Sequence, residues 1–312
     1  MPPEIFTLWI GLTGLFVGSF LNVAIYRYPL ENVTVSNPKR SRCPQCKHGL
    51  SWYENVPLFS WMIQLGRCRH CKGTIPWRYP FVEALTCALW LLAFHVAGGM
   101  QGWALGAIYC LVLSALVVAT FVDFDCLEIP DSVSIGGMLV GPILSFLVPE
   151  LHVHSWLAYQ FGDEVLSAAG NPELTRFGAL VASLAGAGAG WGILFAISWL
   201  GARAFGKDAM GFGDVKLLGA GGAFVGPGGA LLVLMLASVF ASVAGVLNML
   251  RFFILVRGRA RRRGVPKSIG KALFVARILG RYLPFGPYLA VGIGIVLLYW
   301  NDVLGLLLRG TH

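Results

Sequence analysis

The chain contains few charged residues for its length. Asp, Glu, Lys and Arg make up 12% of its 312 residues, whereas about a quarter of the residues of a soluble domain are charged. Hydrophobic residues make up 56%, and the stretches 84–122 and 217–250 contain no charged residue. A water-facing globule cannot bury that much apolar surface, so the composition predicts an all-α polytopic membrane protein.

The first apolar run lacks the features of a cleavable signal peptide. It begins MPPEIF, with an acidic residue where a signal peptide has basic ones, and no A-x-A-like site follows it. The run from Ile5 to Tyr26 is long enough to span a bilayer. We therefore expect a retained transmembrane helix, which forms a first domain at 1–26.

A dinucleotide-binding fingerprint and a convincing internal repeat are also lacking. The segment GAGAGWG (186–192) lies inside an apolar run with no strand before it. Its small residues instead predict close helix packing, and the Gly/Ala-rich face at 182–190 is a place where a substrate helix can approach.

The apolar segments predict about eight transmembrane helices. Four are single spans, at roughly 5–26, 129–148, 177–200 and 284–308. Two longer stretches each hold two helices: 84–122, which is broken at GGMQG (98–102), and 217–250, which divides at GPGG (226–229) into a short and a longer helix. The polar segment 27–80 forms a separate loop domain, and 81–312 forms the membrane-embedded domain.

The basic residues concentrate in three regions, 27–78, 203–216 and 257–281, which give the chain its net charge of +9. With eight spans, these regions lie on one side of the membrane. The positive-inside rule then predicts a cytoplasmic loop domain and places both termini outside. The run RGRARRRG (257–264) is best explained by anionic lipid headgroups, so nucleic acid is not an expected partner.

Two CxxC pairs lie in the first loop, Cys43 with Cys46 and Cys68 with Cys71. Two such CxxC pairs suit a tetrahedral four-thiolate zinc site. A bound metal would also stabilise the fold of a small loop that has little hydrophobic core of its own. Disulfides are not expected in a cytosolic loop. Redox-active or structurally idle thiols remain as alternatives.

Acidic residues occur at two predicted span ends on the cytoplasmic side. The segment FVDFDCLEIPD contains Asp123, Asp125, Glu128 and Asp131, and GFGDVK contains Asp214 after Gly211 and Gly213. Solvated helix caps would explain these residues. Alternatively, two converging carboxylates share a proton and act as acid and base, which is the chemistry of aspartic peptide hydrolysis. The residues alone leave both hypotheses open.

Five blocks in this order resemble the type IV prepilin leader peptidases, which are GxGD-type membrane aspartic proteases. They are GSFLNVAIYRYP (18–29), the two CxxC pairs, IPWRYPFVE (75–83), VDFDCLEIPD (122–131) and GFGDVKL (211–217). The resemblance covers nearly the whole chain. It implies a multi-pass protein of the bacterial inner membrane with a structural zinc loop.

The resemblance also implies the reaction and its residues. The catalytic aspartates are Asp123 and Asp214, with Asp123 chosen over Asp125 because the family aspartate stands six residues before Ile129 of the IPD end. The substrates are prepilins or pseudopilins, cut after a glycine between a basic leader and a hydrophobic helix. N-methylation of the new N-terminus with S-adenosylmethionine rests on the resemblance alone.

Several roles remain open from the residues. Lys216 orients Asp214 or anchors its helix at the headgroups. The acids at 83, 125 and 128 contact the basic leader or are only solvated. A proton-coupled transporter using the same carboxylates is the competing function, and a non-catalytic scaffold for pilus assembly is a third.

Overall fold

A computed structural model describes residues 2–30, 36, 40–159, 174–206, 211–262 and 284–309. Its α-helices are α1 (Pro3–Arg27), α2 (Phe59–Ile63), α3 (Arg78–Val96), α4 (Trp103–Cys126), α5 (Asp131–Leu147), α6 (Arg176–Phe205), α7 (Phe212–Arg262) and α8 (Gly286–Arg309). Short 3₁₀ turns occupy Trp52–Glu54, Pro149–His152 and Trp156–Tyr159. Among the described residues there is no β-strand, which confirms the all-α prediction.

Six of these helices are long and apolar enough to cross a membrane: α1, α3, α4, α6, α7 and α8. Helix α5 is apolar but has only 17 residues. The breaks predicted after the first, second and fifth spans are present, and large hydrophobic side chains are exposed all around the bundle. A membrane protein is therefore confirmed, while the number of eight spans stays a prediction.

Helix α7 is divided by a kink at Gly226, which has φ 74° and ψ 176°. Its 51 residues would extend about 76 Å if straight, more than twice the hydrocarbon thickness. Pro227 has no N–H for the carbonyl of Ala223, which instead accepts a hydrogen bond from Ser183 Oγ at 2.6 Å. The kink lies at the predicted GPGG division, so α7 consists of a short and a longer segment.

Helices α6 and α7 pack backbone to backbone through glycines. A Cβ added at Gly186 would clash with the carbonyl of Gly222, and one at Gly190 would clash with that of Leu218. The close packing predicted for GAGAGWG is confirmed. The same face is therefore occupied by α7, so it does not offer a substrate helix the approach that the sequence suggested.

The acidic segments singled out in the sequence lie at one end of the helix bundle. Helix α1 packs closely on α3 there, since a Cβ at Gly18 would lie 2.7 Å from the Cα of Glu83. The first turns of α3, α5 and α7 and the last turn of α4 meet at the same end, joined by the ion pairs Arg78–Asp125 and Lys216–Asp131. The prediction that the acidic segments share one face is thus confirmed in the structure.

The basic region that begins at Arg257 starts as helix, because α7 continues to Arg262. The sequence assigned this part to a loop, and that boundary was wrong. The basic residues predicted to share the cytoplasmic side at Lys39, Lys207 and 263–281 lie outside the described residues.

Candidate active site and metal centre

Asp123 lies in the last turn of α4. The helix ends because Leu127 takes a left-handed conformation (φ 57°), and its N–H donates to the Asp123 carbonyl at 3.0 Å. The Asp123 side chain is only 5% exposed. Within the described part of the chain, its Oδ2 atom is buried with no hydrogen-bond partner. A buried carboxylate oxygen without a partner is costly, which marks this residue as a functional candidate.

Asp214 lies in the first turn of α7 and is partly buried. The carboxyls of Asp214 and Asp123 are close enough for their charges to interact. Ile129 lies between the two helix ends, since it neighbours both Gly213 and Gly286. The structure therefore brings together the two aspartates that the sequence singled out.

Asp125 faces away from this pair. Both of its carboxylate oxygens accept from Arg78 Nη1, at 2.9 and 2.8 Å, and the Arg78 guanidinium also lies 4.9 Å from the ring centroid of Phe121. Residues two apart on an α-helix point about 200° apart. Asp125 thus holds α3 to α4, while Asp123 points to the bundle interior.

Lys216 contacts neither aspartate of the pair in a salt bridge. Its ammonium pairs with Asp131 at the start of α5 and lies 5.6 Å from the ring centroid of Phe212. Lys216 therefore ties the beginning of α7 to that of α5. The sequence did not predict this ion pair, and the two roles that it left open, orienting Asp214 or anchoring the helix at the headgroups, stay predictions.

The glycines of the GFGD motif have separate surroundings. A Cβ at Gly211 would meet only Asp214 Oδ2, at an ordinary 3.6 Å, whereas one at Gly213 would lie 3.3 Å from the Cβ of Ile129. Neither glycine has a positive φ. Gly213 therefore makes room for Ile129 beside the carboxylates.

Gly286 is a residue of the site that the sequence analysis missed. Its backbone N–H faces the Asp123 carboxyl, and a Cβ there would lie 2.5 Å from Asp123 Oδ2. Gly286 opens α8, where backbone N–H groups lack intrahelical partners and favour negative charge. The signal was the segment PFGPY, which sets a glycine between prolines before the last apolar run.

An apolar groove of about 180 Å³ lies between α4, α5 and α7. Leu116, Gly136, Val140 and Phe224 contribute to its walls, and Leu217 stands one turn from Asp214. A hydrophobic helix leaving the aspartates can rest in such a groove.

The four predicted metal ligands converge in the loop between α1 and α3. The sulfur atoms of Cys43, Cys46, Cys68 and Cys71 all lie within 4.8 Å of one another, and those of Cys43 and Cys71 are 3.9 Å apart. Four sulfurs at about 2.3 Å from a tetrahedral zinc lie about 3.8 Å apart. The cluster therefore fits a metal ion of this kind.

The two cysteine knuckles repeat one local structure. In each, the N–H of the first cysteine donates to the carbonyl five residues later, and the lysine N–H returns to the first cysteine, all at 2.9 Å. The lysines have left-handed φ values, 60° at Lys47 and 57° at Lys72. RCPQCK and RCRHCK are thus a short structural repeat that the sequence analysis did not identify.

The backbone around Cys68 stabilises the thiolate form of its side chain. The backbone N–H groups of Cys71 and His70 lower its pKa to about 7, and the thiolate is the form that binds metal. The imidazoles of His48 and His70 stack at 4.6 Å beside the cluster. They lie outside the group of four sulfur atoms.

Two family models match the chain. Residues 12–97 match the Bacterial Peptidase A24 N-terminal domain, and residues 110–246 match the Type IV leader peptidase family. The metal cluster lies in the first segment, and both Asp123 and Asp214 lie in the second.

Curated proteins named prepilin leader peptidase/N-methyltransferase are similar over most of the chain. The protein from Aeromonas hydrophila is 31% identical over 96% of this chain and 92% of its own length. The proteins from Stutzerimonas stutzeri and Pseudomonas aeruginosa are each 32% identical over the same shares. No solved structure matches.

Proposed function

Since this chain belongs to the type IV leader peptidase family, we propose that it cleaves the basic leader from type IV prepilins or pseudopilins and methylates the new N-terminus. The observation that carries the peptidase is the convergence of Asp123 and Asp214 at one end of the bundle. Two neighbouring carboxyls share one proton, so one is a base and the other an acid.

The proposed reaction is hydrolysis of the peptide bond after a glycine. The ionised carboxylate takes a proton from a water molecule, and the water oxygen attacks the scissile carbonyl carbon. The protonated carboxyl donates its proton to the carbonyl oxygen. Collapse of the resulting diol passes a proton to the leaving nitrogen and breaks the C–N bond. Gly286 supports this step because its lack of a side chain leaves room for the Asp123 carboxyl.

The substrate lies across the same end of the bundle. Its hydrophobic helix follows the scissile bond and rests in the groove between α4, α5 and α7, in place of the glycine face of α6 that α7 covers. The exposed carboxylate of Glu128 is available to the basic leader, while Asp125 and Glu83 are engaged by Arg78 and by the Leu58 N–H.

The membrane arrangement follows from charge. The cysteine loop and the aspartates face the cytoplasm of a bacterial inner-membrane protein, with both termini outside, as the positive-inside rule predicts. The four cysteines hold one structural zinc. The similarity to known proteins gives no support to a transporter.

Cleavage by the purified chain tests this proposal. In detergent, with no ion gradient, the protein is expected to shorten a prepilin at the bond after its glycine, as measured by mass spectrometry. The matched control is the same prepilin with a charged residue in its hydrophobic helix, which is expected to be cut more slowly. An uncut prepilin would contradict the peptidase proposal and favour the non-catalytic scaffold.

Gly286→Ala is expected to lower the cleavage rate about 100-fold, because a new Cβ 2.5 Å from Asp123 Oδ2 displaces the carboxyl and a misplacement of about 1 Å can cost that much. Initial rates with purified protein measure the effect. Gly305→Ala, on the same helix with no neighbour within 4 Å, is expected to retain the full rate. Equal rates for both variants would exclude Gly286 from the site.

A further inference from the structure

A second cavity, larger than the groove between α4, α5 and α7, lies between α1, the start of α3 and the cysteine loop. Its volume is about 310 Å³, within the range of about 300–1,000 Å³ that small-molecule sites occupy. All of its lining residues lie between Ser19 and Glu83. The cavity is therefore built entirely by the segment that matches the A24 N-terminal domain, and none of it by the segment that contains Asp123 and Asp214.

The cavity walls combine aromatic rings with a few polar groups. Tyr26, Trp61 and Tyr79 supply the rings. The side chain of Asn22 is 7% exposed and is held by a hydrogen bond from its Nδ2 to the Tyr79 carbonyl at 3.0 Å. Aromatic walls with a few placed polar groups suit a ligand that has a flat ring and polar substituents.

A buried carboxylate stands in the same cavity. Glu83 is 8% exposed, and its Oε2 accepts the N–H of Leu58 at 2.8 Å. The side chain of Ser19 also lies within hydrogen-bonding reach of this carboxyl. A positive charge beside a buried carboxylate offsets part of the cost of burying it, so the position next to Glu83 suits the positive centre of a ligand. Tyrosine and tryptophan faces attract such a centre as well.

S-adenosylmethionine has these features: a flat adenine, a ribose and a sulfonium cation. Two basic lining residues, Arg42 and Lys47, are available to pair with its carboxylate. The N-methyltransferase named in the relatives needs a donor site, and the aspartate pair provides none. The cavity lies at the same end of the bundle as the aspartates, because Arg78, the residue before Tyr79, pairs with Asp125 at the end of α4.

We propose that this cavity binds S-adenosylmethionine, with Glu83 facing its sulfonium and the rings holding its adenosine; this rests on the proposed methyltransferase function. The neutral N-terminal amine of the cleaved substrate attacks the methyl carbon. The N–C bond forms as the S–C bond breaks, S-adenosylhomocysteine leaves, and the secondary ammonium loses its extra proton to solvent. Peptide cleavage and methylation thus occupy separate sites on one membrane face.

Equilibrium dialysis with radiolabelled S-adenosylmethionine tests the site without relying on activity. Glu83→Gln is expected to weaken binding by at least about 10-fold, through loss of a buried charge–charge interaction. Tyr26→Ala removes an exposed wall residue and is expected to weaken binding less. Glu150→Gln, the same change outside the cavity, is expected to bind like the unsubstituted protein.

Leader cleavage and zinc content serve as fold controls for each variant. Weakened binding with both controls retained supports the site, whereas unchanged binding by Glu83→Gln and Tyr26→Ala overturns it. A protein that cleaves prepilin but binds no donor also overturns the inference and leaves the peptidase intact. A protein that binds the donor but does not cleave contradicts the peptidase alone.

Photo-crosslinking decides the location even if Glu83→Gln fails to fold. Ultraviolet irradiation of the unsubstituted protein with S-adenosylmethionine is expected to label a peptide within residues 19–83. A label confined to 110–246 would overturn the proposal.

Discussion

Asp123→Asn and Asp214→Asn are each expected to lower the rate of leader cleavage by about 1,000-fold or more. Each change removes a carboxyl that must give or take a proton, and positioned acids and bases contribute about 10²–10⁴-fold each. Asn is nearly isosteric with Asp, so the helices around Asp123 retain their packing. Initial rates with a purified prepilin, at matched protein levels in the membrane, measure the loss.

Asp125→Asn is the matched control for these variants. It changes the same side chain two residues from Asp123 but breaks only the half-exposed pair with Arg78, and such pairs contribute about 0–1 kcal/mol. Cleavage within a few fold of the unsubstituted protein is therefore expected. A large loss in Asp125→Asn together with full activity in Asp123→Asn would reverse the assignment.

Cys68→Ser is expected to reduce bound zinc from about one ion per chain to almost none. Structural zinc contributes about 10–16 kcal/mol in small metal-dependent folds, and the region 40–77 has only one five-residue α-helix and one 3₁₀ turn of its own. The loop should then become sensitive to protease. Elemental analysis and limited proteolysis of the purified protein measure both effects.

The loss of zinc should also weaken the binding of S-adenosylmethionine proposed above, because Cys43 and Cys68 contribute to the lining of that cavity. The control is Cys87→Ser, a cysteine of α3 outside the four-sulfur group, which is expected to keep its zinc. Undegraded unsubstituted protein with no zinc would exclude the metal centre. Zinc retained by Cys68→Ser would exclude the four-thiolate set.

Much of the site could be predicted because its residues lie in short sequence motifs. CxxC pairs in a loop and an aspartate after Gly-x-Gly are short patterns with few chemical uses. Helical periodicity puts Asp123 and Asp125 on opposite faces. The periodicity does not show which face is buried. In the structure Asp123 is buried, whereas Asp125 pairs with Arg78 at the surface.

Other parts of the site leave little local signal. Gly286 is a site residue only because the start of α8 packs against the end of α4, and these two segments are far apart in the sequence. Lys216 stands beside Asp214 in the motif, yet the helix turns its ammonium to Asp131 on α5. The glycines of α6 suggested a substrate face in the sequence, but α7 already covers them.

Sequence alone predicts a membrane protein, a loop whose four cysteines can hold a metal ion, and a cluster of acidic residues at span ends. Scarce charge and short motifs are local properties, so they need no folded structure to be recognised. The folded structure adds that Asp123 and Asp214 lie close together, that Gly286 adjoins Asp123, and that α1, α3 and the loop enclose a cavity around Glu83. These contacts join residues distant in the chain, and the packing of one helix against another sets them.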